Sequence, residues 1–400
     1  MTIASAIKRT VSEKLQHAMA IDLTVPGLES LHLRAGEKWA VHDTDVLSAT
    51  IAEMDFPLAP PVAEALHRAI DRDDLGYPGP ARATLRRSFA RFAARRLGWT
   101  VDEDEIVLVP DVMVGLVELC RTIAGPGEPV AFATPAYPPF FGALPHAGVR
   151  LINVGFRADG SIDLDGLDAA LAAGVRALVL ASPHNPTGRV LPRGELEAIA
   201  ERCAEREVWV LADEIHAPLT LPGATHVPWL EVSDAARRWG VTVTSASKAF
   251  NLAALKAALV VTADPAARDL VARMPPLHEH AGLLGVIAAE AAFDDGDQWL
   301  DAVIAQLDAN RGQLGRVLAR DLPEVAWRPP QATYLAWLDC TGLGLGDEPA
   351  EIFLVQGRVA LGRGLDYGAP GAGHVRLNFA TSPEHLSEAV TRMARATAYG

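Results

Sequence analysis

Between about residues 51 and 275, short apolar and β-branched runs alternate with longer stretches whose apolar positions recur at helical spacing. The runs are IVLVP (106–110), PVAFATP (129–135), RALVLASP (176–183), VWVLADE (208–214), VTVTSAS (241–247) and AALVVTA (257–263). Each of the first five is nearly continuously apolar, the pattern of strands buried on both faces of a mainly parallel sheet. Stretches such as GELEAIAERCAER (194–206), opened by Pro192, predict the intervening helices. Strand–helix–strand repetition of this length predicts an open α/β sheet, the core of a large domain over 51–275. Past Pro275-Pro276 the pattern changes. A long helical stretch, roughly 281–320, precedes strand-like runs TYLAWLDC (333–340) and HVRLNFA (374–380), which Gly-rich loops separate. This predicts a smaller α+β domain over 276–400. Residues 1–50, polar and irregular, read as an N-terminal arm contributing to it.

Composition sharpens the picture in three ways. With 400 residues, half of them hydrophobic and 22% charged, the chain exceeds a usual single core and is not disordered. Its 36 basic and 50 acidic side chains give a net charge of −14, which argues against nucleic acid or an anionic membrane as partner. Three scattered cysteines (Cys120, Cys203, Cys340) form no CxxC pair, which fits a reducing compartment. The first twenty residues carry charges inside each apolar stretch, unlike a signal peptide, and no apolar run is long enough to span a bilayer. The expectation is a cytoplasmic protein.

Ligands of open α/β sheets gather at the carboxyl ends of strands, so the polar residues closing each run are the candidates. His184-Asn185-Pro186-Thr187-Gly188 follows RALVLASP, and Asp213-Glu214-Ile215-His216 follows VWVLA. Lys248 follows VTVTSAS, and Asp111 follows IVLVP at the start of the helical stretch DVMVGLVELC. An amide, a carboxylate, an amine and a helix N-terminus together suit a heteroaromatic cofactor that bears a phosphate.

HNPTG, ADEIH, SASKAFNLAALK and HVRLNFA, in this order and at intervals of 28, 35 and 128 residues between Asn185, Asp213, Lys248 and Arg376, resemble pyridoxal-phosphate (PLP) enzymes of the aspartate aminotransferase fold. KWAVHDTDVLSATIAEMDF (38–56), LGYP (75–78), PAYPPF (135–140) and DEIHAPL (213–219) further resemble the MalY/PatB group of cystathionine β-lyases, in which DEIH stands where aminotransferases have DxxY. The resemblance implies a role for each motif residue. Lys248 carries the cofactor covalently, Asp213 pairs with the pyridine nitrogen, Asn185 donates to the ring's phenolic oxygen and Tyr137 stacks on the ring. The backbone amides of Val112 and Met113, with Ser245, Ser247 and Lys256, bind the phosphate. Arg376 clamps the substrate carboxylate with its planar fork. Tyr77 reaches the neighbouring subunit's phosphate, which implies a homodimer. His216 lies near the ring or the substrate, with its role open.

Four further features have bland readings. Asp111, where the family commonly has a small residue, is expected to cap its own helix rather than face the phosphate. Asp55 either positions the N-terminal strand or is structural. His278-Glu279-His280 does not present two histidines on one helix face, so no metal site is expected. The Gly-rich LGRGLDYGAPGAG (361–373) reads as a loop that moves on binding or as ordinary surface.

The resemblance implies β-elimination from an L-cysteine S-conjugate such as cystathionine, giving a thiol, pyruvate and ammonia. Alternatives on the same framework are an aminotransferase and a biosynthetic enzyme acting, with or without decarboxylation, on a bulky S-conjugate. A non-enzymatic regulatory protein acting through protein contact ranks below these, because every cofactor position is present.

Overall fold

A computed structural model describes residues 21–397; the N-terminal twenty residues lie outside the described residues, as do the side chains of His278 and Glu279. Twelve strands are present among the described residues: β1 Leu47–Ala49, β2 Ile106–Val109, β3 Pro129–Ala133, β4 Arg150–Val154, β5 Ala177–Ala181, β6 Trp209–Asp213, β7 Gly240–Thr244, β8 Ala258–Val261, β9 Ala326–Trp327, β10 Leu335–Asp339, β11 Val359–Arg363 and β12 His374–Asn378. Seven of them form a sheet in the order β2-β8-β7-β6-β5-β3-β4. All neighbours in it are parallel except β8, which runs antiparallel to both β2 and β7. β3, β5 and β7 are buried along their whole length, as continuous apolar runs require. β4 has no such run. It is one of the two edge strands, and Arg150 and Asn153 are exposed on it.

Register aligns the ends of the central strands. Ala181 of β5 pairs with Asp213 of β6, and Asp213 with Val243 of β7. The carboxyl ends of these three strands are therefore level, and the residues that close them form one row.

The other five strands form a second sheet, β1-β11-β12-β10-β9, with β1 parallel to β11 and the other pairs antiparallel. The N-terminal segment enters this sheet through β1. The helical stretch expected over 281–320 is two helices, Leu283–Asp295 and Asp297–Asp321, divided at Gly296. A side chain at 296 would collide with the carbonyl of Ala292 and the ring of Phe250, so the close approach that turns the chain demands glycine. The first helix packs on Pro60–Asp71 and Ala81–Phe92, the latter of which meets β2 of the larger sheet, and the second packs on Pro383–Thr397 beside the smaller. By packing, the chain passes from one sheet's layers to the other's at Gly296, twenty residues beyond Pro276. The segment 361–373 is no open loop either. Its first residues end β11, Tyr367 is buried, and Gly364 and Gly371 meet backbone to backbone.

One buried ion pair anchors the N-terminal segment. Lys38 Nζ lies 2.9 Å from Asp55 Oδ1 with both side chains 1% exposed, and Trp39 Nε1 donates to the same oxygen at 2.8 Å. Arg34 donates to the Asp55 carbonyl at 3.1 Å. Asp55 is thus a structural anchor. Lys38→Ala leaves a buried carboxylate short of its cation, and is expected to lower unfolding stability by about 3–5 kcal/mol in urea titrations.

Candidate active site

The level strand ends bring Asp213, Lys248 and Asn185 to one face, and Arg376 enters it from β12 of the smaller sheet. Asp213 is buried, and its Oδ1 accepts from the Ile215 amide at 3.1 Å. Burial pushes its carboxyl up to about 6, against a smaller opposing pull from that hydrogen bond and from Lys248. The carboxylate is therefore desolvated without a full cationic partner. Glu214 beside it turns the other way and accepts from the Trp229 amide at 2.6 Å.

Lys248 follows β7. Its Nζ donates to the Ala52 carbonyl at 3.0 Å. Burial, aided by the charge of Arg376, brings the amine down to about 8, so a substantial neutral fraction exists near physiological pH. The same Ala52 carbonyl accepts from Tyr334 Oη at 2.9 Å.

That shared carbonyl belongs to a strap over residues 50–54 between the two sheets, in which each carbonyl takes at least one side-chain donor. Arg376 donates to Thr50 at 2.8 Å. Asn378 Nδ2 donates to Ile51 at 2.6 Å and to Glu53 at 2.7 Å. Asn251 Nδ2 donates to Met54 at 3.0 Å, and its Oδ1 accepts from the Met54 amide at 2.8 Å. The donors come from the loop after β7, from β12 and from the segment leading into β10. The strap thus ties the two halves of the site together.

Arg376 is buried. Its Nη1 donates to Asn185 Oδ1 at 3.1 Å, its guanidinium lies 5.1 Å from the centre of the Tyr367 ring, and its Nε has no partner among the described residues. Tyr137, half-buried, precedes the helix Pro138–Ala143, and its ring packs edge-on against Phe140. His216 is buried with its ring edge-on to Tyr334, and Nδ1 is unpartnered among the described residues. Desolvation, then the charges of Lys248 and Arg376, bring it down to about 3, so it is a neutral imidazole.

The expected phosphate residues are only partly free for that purpose. Asp111 caps the helix Val112–Ile123, with Oδ1 accepting from the Val114 amide at 2.8 Å. The Gly115 amide bonds the Asp111 carbonyl, which leaves the amides of Val112 and Met113 without intrahelical acceptors. Lys256 Nζ lies 3.1 Å from Asp111 Oδ2. Ser245 is otherwise engaged. Its hydroxyl donates to the Ala257 carbonyl at 2.7 Å and accepts from the Ser247 amide at 3.1 Å, so its one proton braces the loop instead of facing an anion. The Ser247 side chain, half-buried, makes no such bond. Tyr77 is 90% exposed.

Sequence reasoning missed Tyr334, Tyr367, Asn251 and Asn378. Asn378 was within reach, because it lies two residues past Arg376 on one strand and therefore on the same face. Asn251, three past Lys248, sits at φ 58, where asparagine is favoured over other side chains. Among the described residues, no three His, Cys, Asp or Glu side chains are grouped to hold a metal, and no helix is long and apolar enough to cross a membrane.

Comparison with known proteins agrees with this geometry. The family described as aminotransferase class I and II matches residues 44–393. A Mycobacterium tuberculosis protein named "Putative cystathionine beta-lyase" is 45% identical over 94% of this chain and 97% of its own. Cystathionine beta-lyase PatB of Bacillus subtilis is 33% identical over 91% of this chain and 95% of its own. Among solved structures, the PLP-bound C–S lyase of Staphylococcus hominis superposes with a TM-score of 0.82 at 26% identity, covering 91% of this chain and 96% of that one. The chain belongs to the PLP-dependent aminotransferase class I and II family, in the branch of the cystathionine β-lyases.

Proposed function

We propose that this chain is a PLP-dependent carbon–sulfur lyase that cleaves L-cystathionine or a related L-cysteine S-conjugate, with water, to a thiol, pyruvate and ammonia. The observation that carries the reading is the identity of 33–45%, over nine-tenths or more of the chain, to proteins named as cystathionine β-lyases. The residues present fit the cofactor. A desolvated carboxylate without a full counter-charge suits a pyridinium nitrogen, and a desolvated amine suits an aldehyde. Ser182 Oγ and His216 Nδ1, buried and unpartnered among the described residues, lie at the same strand ends.

Lys248 would carry the cofactor, Asp213 would face its ring nitrogen, Asn185 its phenolic oxygen and Tyr137 its ring face. Val112, Met113, Ser247 and Lys256 would hold its phosphate. Bound there, PLP would supply an electron sink for the substrate Cα. Arg376 then grips the α-carboxylate, with its free Nε and the Asn185 amide as additional donors. The amine of Lys248, brought down to about 8 by burial, would take the Cα proton; the C–H pair would become the Cα=Cβ bond and the Cβ–S pair would leave with sulfur. His216, neutral, can accept or donate one hydrogen bond without adding charge. The active unit would be a homodimer, with exposed Tyr77, flanked by exposed Leu75 and Ile70, reaching the phosphate site of the other protomer. The large domain would hold the cofactor and the small domain would supply Arg376.

Incubation with L-cystathionine is expected to release thiol and pyruvate in equal amounts. Rapid amino transfer to 2-oxoglutarate with neither product released would overturn the lyase reading in favour of an aminotransferase.

A further inference from the structure

The pairing of Asp111 with Lys256 sets a negative charge beside the cation expected to bind the cofactor phosphate. Two independent contacts fix that carboxylate: Oδ1 on the Val114 amide at 2.8 Å and Oδ2 on Lys256 Nζ at 3.1 Å. Lys256 reaches across from the segment after Lys248 to the start of the helix Val112–Ile123, whose first amides supply the remaining positive potential. Capping alone does not require a charge, because asparagine caps as well as aspartate. The second contact is what makes the charge matter.

We propose that Asp111 sets how tightly this chain holds the phosphate group of its cofactor. Its carboxylate fixes Lys256 in place and offsets most of that residue's charge. A phosphate dianion arriving at Lys256 meets two fixed charges of opposite sign at similar distance, and their effects largely cancel. The site therefore binds the phosphate ester less tightly than an unopposed lysine at a helix N-terminus would, and releases it faster. This rests on the PLP reading of the site, and it concerns the phosphate alone, not the aldehyde or the ring.

The test uses the full chain as wild type, Asp111→Asn, Lys256→Gln and the double variant. Two quantities are read: the rate at which the loaded enzyme loses its visible absorbance on dilution into cofactor-free buffer, and the affinities for PLP and for pyridoxal, which lacks the phosphate. Asp111→Asn is expected to slow PLP loss and tighten PLP binding about threefold to tenfold, with pyridoxal affinity unchanged. Lys256→Gln is expected to loosen PLP by a similar factor, and the double variant to lie near wild type. An Asp111→Asn chain that releases PLP as fast as wild type, or whose pyridoxal affinity changes as much as its PLP affinity, would overturn the proposal while leaving the cofactor reading intact. A wild-type chain that takes up no PLP would overturn both.

Discussion

Lys248→Ala is expected to lose the visible absorbance of the cofactor-bound enzyme and to lower turnover by on the order of 10⁴-fold or more, while the chain remains folded. Both halves follow from the surroundings. Among the described residues, the two other lysine amines are engaged elsewhere. Lys256 is exposed and paired with Asp111, and Lys38 is buried against Asp55. Neither can therefore take over covalent attachment or proton transfer at Cα. The fold survives because the Ala52 carbonyl, which Lys248 would leave, keeps its bond from Tyr334, and the rest of the strap is held by Arg376, Asn378 and Asn251. Losing a cation whose amine is already desolvated costs the folded state little. Absorbance spectra after dialysis against PLP, a cystathionine assay and thermal melting check the three claims together. An unchanged spectrum would remove Lys248 as the attachment point.

How much of the site was legible in the sequence depends on which atoms carry each function. Asn185, Asp213 and Lys248 each close an apolar run, so the change from apolar to polar marks the strand end and the site at once. The strap over 50–54 was not legible, because its contribution is made by backbone carbonyls, and a carbonyl leaves no trace in residue identity. Tyr334 sat inside the run TYLAWLDC and read as one more buried strand residue. Its hydroxyl matters only because the strap passes in front of it. Ser245 is the reverse case. The resemblance implies a phosphate donor there, while the turn into Lys248 directs its hydroxyl proton to the Ala257 carbonyl. The break at Gly296 escaped because both flanking segments keep good helical spacing, and only tertiary contact with Phe250 demands the glycine. Local pattern gave the elements and the chemistry at their ends. Contacts between segments distant in the sequence set everything that depends on approach.

Asp213→Asn is expected to move stability and activity in opposite directions. Without cofactor, the wild-type carboxyl has its pKa raised from 3.8 to about 6 by burial. The folded chain then holds that proton more tightly than the unfolded chain does. This contribution to stability is full below pH 3.8, declines as pH rises through 6, and leaves a penalty of about 2–3 kcal/mol above it. Asparagine has the same shape, its oxygen can still accept from the Ile215 amide, and it carries no charge to desolvate. The cofactor-free variant should therefore be more stable than wild type by about 2–3 kcal/mol at pH 7.5, with the gap closing by about pH 4. Cofactor reverses the order. A pyridinium facing Asp213 supplies the cation that the carboxylate lacks, lowers its pKa and recovers the penalty, whereas an amide offers only a neutral contact. Wild type should gain more stability from PLP than the variant does, and the variant's turnover should fall by about 10²- to 10³-fold, the range lost when one fixed electrostatic contact to a reacting group is removed. Urea titrations with and without PLP at pH 4 and 7.5, with steady-state rates at the higher pH, measure each quantity. A variant no more stable than wild type without cofactor, yet fully active with it, would mean that Asp213 neither bears a desolvated charge nor faces the ring.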